Sequence, residues 1–213
     1  MIIVGAKGFA KEILQVISVD MSYDDKSIAF YDNVNDDLPD KLFDRFQILK
    51  SDKEAKDFFL KTNDNSFVLG LGDPKSRFKM YDHFISLGGV PKTIFSNNTE
   101  IGNFDVKIGE GTSVMSGTII TNSIVVGKGV LINLKTTIGH DCYIGDFVEI
   151  SPNVNISGRC KIGDFTVLGT NSIVIPDITI GNNVIIGAGT VVTKNIPDNC
   201  TVVGVPGKII KQG

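Results

Sequence analysis

Cysteine and histidine are scarce: three of the first and two of the second among 213 residues. Cys142, Cys160 and Cys200 form no C-x-x-C pair and no Cys/His cluster, so a structural zinc site is not expected. His83 and His140 are too few for a three-histidine catalytic metal centre within one chain. A basic excess is also lacking. The 21 Lys and Arg face 24 Asp and Glu, for a net charge of −3, which argues against a nucleic-acid partner. No apolar run is long enough to span a membrane, so none is predicted as a partner. The opening MIIVGAKGFAKEIL lacks a basic leader and carries Lys7, Lys11 and Glu12 among its apolar residues. It reads as a buried strand running into a helix rather than a signal peptide, and a cytoplasmic location is the default expectation.

What is abundant is a six-residue rhythm. From Ile108 to Val192 every sixth residue is aliphatic, fifteen positions in succession, through Ile120, Ile138, Ile144, Ile156, Leu168 and Ile180. That period is neither the 3.6 of a helix nor the 2 of an ordinary strand. It is the hexapeptide signature of a parallel β-helix. A second register lies two residues before each aliphatic and holds small or β-branched residues, among them Thr112, Thr136, Cys142, Val154, Cys160 and Thr190. Each unit then supplies one short strand and one corner, with the aliphatic inward. Three units close a coil, so residues eighteen apart stack at about 4.8 Å. Glycine often follows the aliphatic, as at Gly109, Gly127, Gly145 and Gly163, where it is expected to ease the turn. Cys142 and Cys160 fall in the small inward register and read as buried filler.

Residues 1–90 differ in character. Met1–Val4, Ser27–Tyr31 and Ser66–Leu71 read as strands. The segment after Gly8, Lys53–Lys61 and Pro74–Leu87 read as helices. This alternation predicts a small Rossmann-like α/β domain with a parallel sheet. Ligands of such domains bind at the carboxyl ends of the strands. Those ends carry Gly5, Lys7 and Gly8, then Asp32 and Asn33, then Gly72 and Asp73. The GAKG turn is not a full GxGxxG fingerprint and is weak evidence alone. Residues 91–213 form the second predicted domain: a bridge through residue 107, coils over roughly 102–195, and a tail containing Gly204-Val205-Pro206-Gly207-Lys208.

Within the coils, chemistry centres on His140. It lies two places after inward Ile138, in the outward part of its unit, and is followed by Asp141. An imidazole can take a proton from an amine or hydroxyl, and a neighbouring carboxylate can orient it. Adjacent residues of a straight strand point apart, so the pairing requires a corner. Gly158, eighteen residues on, stacks beside His140 and offers a backbone N–H with no side chain in front of it. A base beside such a donor is the layout that acyl transfer needs. A plain surface histidine is the alternative reading of the same residue.

Taken together, the opening GAKGFAKEI, the block Asn133…Ile138-Gly139-His140-Asp141-Cys142-Tyr143-Ile144-Gly145-Asp146-Phe147, and the end Ile186-Gly187-Ala188-Gly189…Gly204-Val205-Pro206-Gly207-Lys208 resemble the hexapeptide-repeat sugar acetyltransferases. The resemblance spans the chain and is nearest to the bacillosamine- and perosamine-type N-acetyltransferases and the sialic acid O-acetyltransferases. It implies a left-handed β-helix following a small N-terminal α/β domain, and a homotrimer with acetyl-CoA along the grooves between subunits. It implies His140 as general base, Asp141 as its partner, Asn133 as a polar neighbour, and Gly158 as the amide facing the thioester carbonyl. Glu149, Thr170, Gly187 and Ala188 match groove positions, and Lys208 matches a partner for a CoA phosphate. Gly5, Lys7, Gly8, Phe9, Asp32, Asn33, Gly72 and Asp73 match positions that hold a nucleotide-linked sugar. Two departures stand out: Phe9 and Glu149 occupy places where relatives carry histidine.

The expected reaction is transfer of acetyl to the amine of a UDP- or dTDP-linked 4-amino-4,6-dideoxy sugar in polysaccharide biosynthesis, without a metal. A hydroxyl acceptor, a metal-dependent β-helix enzyme and an inactive scaffold are the rivals. The metal rival needs histidines that the coils lack.

Overall fold

The computed structural model describes Met1–Gly213 and divides into two compact units, Met1–Ile94 and Phe95–Gly213. The first is an α/β sandwich. Its strands are β1 (Ile2–Val4), β2 (Ala29–Tyr31), β3 (Lys41–Leu42), β4 (Phe46–Leu49), β5 (Ser66–Leu69) and β6 (Val90–Pro91), in the order β3-β4-β2-β1-β5-β6. All neighbours pair in parallel except β3 with β4. The central strands are apolar at every residue because helices cover both faces of such sheets. The helices are α1 (Gly8–Gln15), continued by a π-helical turn Val16–Asp20, α2 (Asp52–Thr62) and α3 (Pro74–Ser86).

Local chemistry sets the helix boundaries. The Ser51 hydroxyl accepts the Glu54 N–H at 3.3 Å to start α2, and Asn63, at φ 50°, ends it in the left-handed conformation. Asp73 caps α3 by accepting the Ser76 N–H at 2.8 Å, with Pro74 in the first turn. Three strands are expected from the sequence, and the sheet has six. The β3–β4 hairpin turns on Phe43 and Asp44, both left-handed, which carry none of the Asn-Gly chemistry that marks such turns in a sequence. The two-residue β6 is too short to show a period.

The second unit is a left-handed parallel β-helix. Its strands are mostly two residues long and stack into three sheets. Register is regular: Ile138 pairs with Ile156, Ile144 with Ile162, and Ile150 with Leu168. The inward aliphatics form one continuous core, with Ile144, Ile150, Ile162, Leu168 and Val174 wholly shielded. Truncating one to alanine would cost about 2–5 kcal/mol. Inward threonines also satisfy the corners. Thr112, Thr118 and Thr166 donate to the carbonyls of Gly127, Asn133 and Gly181 at 2.8–3.2 Å. Cys142 and Cys160 take the same role, each thiol 3.2 Å from a carbonyl oxygen, of Ser157 and Ile175.

The turn residue is not the glycine after the aliphatic. Every sixth residue from Asp105 to Gly189 has φ of 52–76°, three places after the aliphatic, and these left-handed positions make the corners. Gly109, Gly127, Gly145 and Gly163 have ordinary φ. They are glycine because the next coil approaches so closely that a Cβ would overlap it. The imperfect first unit at Ile101-Gly102 belongs to the coils: Glu100–Ile101 pairs in register with Ile119–Ile120.

Candidate active site

His140 and Asp141 meet at a corner. Asp141 has φ 59°, and this left-handed step turns two adjacent side chains to the same side. His140 Nδ1 lies 2.6 Å from Asp141 Oδ2. An ionised carboxylate only accepts, so Nδ1–H donates and Nε2 is left free as a base. Both side chains are more than half exposed, at 57% and 55%, so a reactant can reach them.

The imidazole lies over Gly158. A Cβ there would come within 2.6 Å of Nε2 and 2.7 Å of Cε1, so any side chain at this position would push the ring aside. The Gly158 N–H has no hydrogen-bond partner within the chain. Its carbonyl accepts the Asp177 N–H at 3.2 Å, and the His140 carbonyl accepts the Arg159 N–H at 2.8 Å, which holds the two coils in register. A free imidazole nitrogen beside an open amide donor is competent for general-base attack on a carbonyl with oxyanion stabilisation. Cys142 lies just beneath, but its thiol is buried. Its hydrogen bond with Cys160, together with burial, raises its pKa, which disfavours the nucleophilic thiolate.

The other expected β-helix residues lie elsewhere on the coil. Asn133 stands at the preceding corner, where its Oδ1 accepts the Leu134 N–H at 2.7 Å. Gly187 stacks in the Asn133 column of that corner, and Thr170 and Ala188 stack in the adjoining one; the Gly189 N–H bonds the Thr170 carbonyl at 2.8 Å. Glu149 is on the strand entering this corner, pairing with Leu131 and Val167. Lys208 opens the C-terminal strand Lys208–Gln212, which runs antiparallel to Cys200–Val203 and extends the same sheet. Within one chain, these residues are therefore separated from His140 by a strand.

In the first unit, a cleft of about 280 Å³ opens at the carboxyl ends of β1 and β2. Gly5, Asp32 and Asn33 line it, together with Tyr31, Ser76 and Lys79, which sequence reasoning did not single out. Gly5 has φ 102°, and a Cβ would come within 2.9 Å of the Leu71 side chain, so glycine keeps the floor open. Asp32 is nearly buried and accepts from Asn35 N at 3.0 Å and Asn35 Nδ2 at 2.9 Å, fixing the loop after β2. Lys7 precedes α1 and pairs with Asp37 at 3.7 Å, with both exposed. Gly8 has open space where a Cβ would point, and Phe9 is half-buried. The Gly72 carbonyl accepts from the buried Arg77 guanidinium, and Asp73 is engaged as the α3 cap. A larger hollow, about 510 Å³, lies at the amino ends of the strands among Phe59, Leu60 and Leu87, away from the glycine turns.

His83 is more engaged than the sequence indicates. Its Nε2 lies 2.9 Å from Asp52 Oδ1, which also accepts the Tyr31 hydroxyl at 2.6 Å. The Tyr31 hydroxyl, and then His83, hold the Asp52 carboxyl below its usual range.

Two family models match the chain: the PglD N-terminal domain over residues 1–84 and the bacterial transferase hexapeptide (six repeats) over residues 159–194. No curated protein matches the sequence. Solved structures do. PerB from Caulobacter crescentus, in complex with CoA and GDP-perosamine, superposes with a TM-score of 0.88 at 25% identity, over 99% of this chain and 96% of that one. The acetyltransferase domain of PglB from Neisseria gonorrhoeae, in complex with acetyl coenzyme A, gives 0.87 at 26% identity, over 98% of each chain. WeeI from Acinetobacter baumannii gives 0.80 at 28% identity, again over 98% of each.

The chain resembles the hexapeptide-repeat sugar acetyltransferases along its whole length. The fold expected from that resemblance, a parallel α/β domain followed by a left-handed β-helix, is the one observed.

Proposed function

We propose that this protein transfers acetyl from acetyl-CoA to the amine of a nucleotide-linked 4-amino-4,6-dideoxy sugar, without a metal. The observation that carries the reading is the His140 corner: Nδ1 held by Asp141 at 2.6 Å, and Nε2 over a glycine whose N–H is open. His140 Nε2 takes the proton as the amine attacks the thioester carbonyl carbon. The Gly158 N–H donates to the oxygen that gains charge, and the C–S bond breaks to release CoA thiolate. Asp141 fixes the tautomer and steadies the imidazolium. The first unit holds the nucleotide at the carboxyl ends of its strands, through Gly5, Lys7, Gly8, Phe9, Asp32, Asn33, Gly72 and Asp73.

A homotrimer completes the site. Asn133, Glu149, Thr170, Gly187, Ala188 and Lys208 lie away from His140 in one chain, and a neighbouring copy brings its own set beside that corner as the acetyl-CoA wall. The outward strand positions Ile119, Val125, Tyr143, Ile173 and Ile185 are apolar and exposed, which suits flat faces that pack together. The reaction belongs in the cytoplasm, in the supply of sugars for polysaccharide.

The test is a thiol-release assay with acetyl-CoA and UDP-, dTDP- and GDP-linked 4-amino sugars, with mass spectrometry of the products. The GDP sugar is included because PerB was solved with GDP-perosamine. Gain of one acetyl on the amine supports the reading and names the nucleotide. Intact CoA binding with turnover only on sugar hydroxyls would replace it with O-acetylation, and absence of both would point to a scaffold.

A further inference from the structure

The left-handed positions of the His140 corner form a charged column. Asp141, Arg159 and Asp177 stand eighteen residues apart, at φ 59°, 61° and 67°. Stacked positions lie about 4.8 Å apart, so Arg159 has a carboxylate one coil to either side. It takes only one. Its Nε donates to Asp177 Oδ1 at 2.6 Å and its Nη2 to Asp177 Oδ2 at 2.8 Å, a two-point pair. Asp141 is left to the imidazole, at 2.6 Å from Nδ1. At longer range the charges of the column still reach the pair, Asp177 acting on His140 and Arg159 on Asp141. Ser123, the preceding position of the column, is neutral. Cys142 below is a buried thiol, and Asn122 offers its carbonyl to the Asp141 N–H at 3.2 Å.

We propose that Asp177 is a positioning residue for His140: it holds the Arg159 guanidinium away from Asp141, so that the Asp141 carboxylate serves the imidazole alone. The proposal rests on the reading of His140 as the base. Without Asp177, the guanidinium turns back one coil to Asp141, the only ionised carboxylate left beside it in the column. Nδ1–H then loses its sole acceptor, and the imidazole is free to protonate on Nε2 instead, which removes the base. The attraction already acts at a distance. Asp177 is the main influence holding Arg159 in its charged form, with Asp141 adding to it, and Arg159 in turn holds the Asp177 carboxyl below the usual carboxylate range.

The experiment uses the full chain and two variants, Asp177→Asn and Asp177→Asn with Arg159→Ala. Asparagine suits the left-handed conformation, so the corner is kept while the charge is lost. Two readouts are taken. One is the ¹⁵N–¹H correlation pattern of the imidazoles, in which the chain's only other histidine, His83, serves as reference. The other is kcat and KM for acetyl transfer. In the parent protein, His140 shows the Nδ1–H tautomer. Asp177→Asn mixes the tautomers and lowers kcat about two- to five-fold, the scale of an exposed ion pair, with KM unchanged. Removing Arg159 as well restores both. Asp177→Asn with the parental tautomer and kcat would overturn the proposal, as would a double variant no better than the single. If the parent acetylates no amine, the functional reading fails by itself, while the tautomer pattern still decides the role of Asp177.

Discussion

Two corners of the same β-helix are built on the same backbone and finished differently. At the corner that follows Ile144 and Ile162, each exposed N–H is capped by a side chain from the next coil. Asp146 Oδ1 accepts the Lys128 N–H at 3.0 Å, and Asp164 Oδ1 accepts the Asp146 N–H at 2.8 Å. Asn182 Oδ1 accepts that of Asp164 at 2.8 Å, and Asp198 Oδ1 that of Asn182 at 2.8 Å. At the corner that follows Ile138 and Ile156, the stacked residues are His140, Gly158 and Pro176. Glycine and proline offer no side-chain acceptor, so the N–H groups of His140 and Gly158 stay unpaired. One corner spends its polar side chains on structure. The other leaves a donor exposed and places an imidazole over it. On the proposed function, the difference is how a repeat scaffold acquires a reactive site: not by adding a loop, but by withholding a cap at one column.

The largest expected effect comes from removing the proposed base. His140→Ala should lower acetyl-transfer turnover by about 10²–10⁴. Its side chain is more than half exposed, so the thermal melt should not move. Gly158→Ala comes next. The new Cβ would press on Nε2, displacing the ring rather than the coil, and a misplacement of that size costs on the order of 10²-fold in kcat. A kcat within two-fold of the parent would show that the ring need not lie over this glycine. The capped corner should respond in the opposite way. Asp164→Ala uncaps the Asp146 N–H and should cost about 1 kcal/mol in denaturant unfolding, with turnover unchanged. A loss of turnover there would mean that the two corners are not functionally distinct.

Much of the β-helix was legible because its signals repeat. Fifteen aliphatics at a fixed spacing outvote any local irregularity, and the stacking of Gly158 on His140 follows from the spacing alone. What turns the corner was not legible. The left-handed position accepts Phe147 and Phe165 as well as Asn, Asp and Gly, because the surrounding coil imposes the conformation and the two rings stack with centroids 5.7 Å apart. The pairing of His140 with Asp141 depended on that hidden step. In the first unit, the strand ends with glycine or acidic residues pointed to the cleft, while Tyr31, Ser76 and Lys79 on its wall carry no motif and emerge only once β2 and α3 are side by side. The Asp52–His83 contact joins residues 31 apart on two helices and leaves no local trace.

The most direct measurement transplants the cap. In Pro176→Asp, a carboxylate stands one coil beyond Gly158, as Asp164 stands one coil beyond Asp146, and is placed to accept the Gly158 N–H. The measurement is kcat for acetyl transfer beside the melting temperature. The account predicts a fall in kcat of about 10²–10³, the worth of an oxyanion donor, with a melting temperature equal to or above the parent's. A variant that melts like the parent and turns over within two-fold of it would contradict the claim that the open N–H of Gly158 makes this corner the active one.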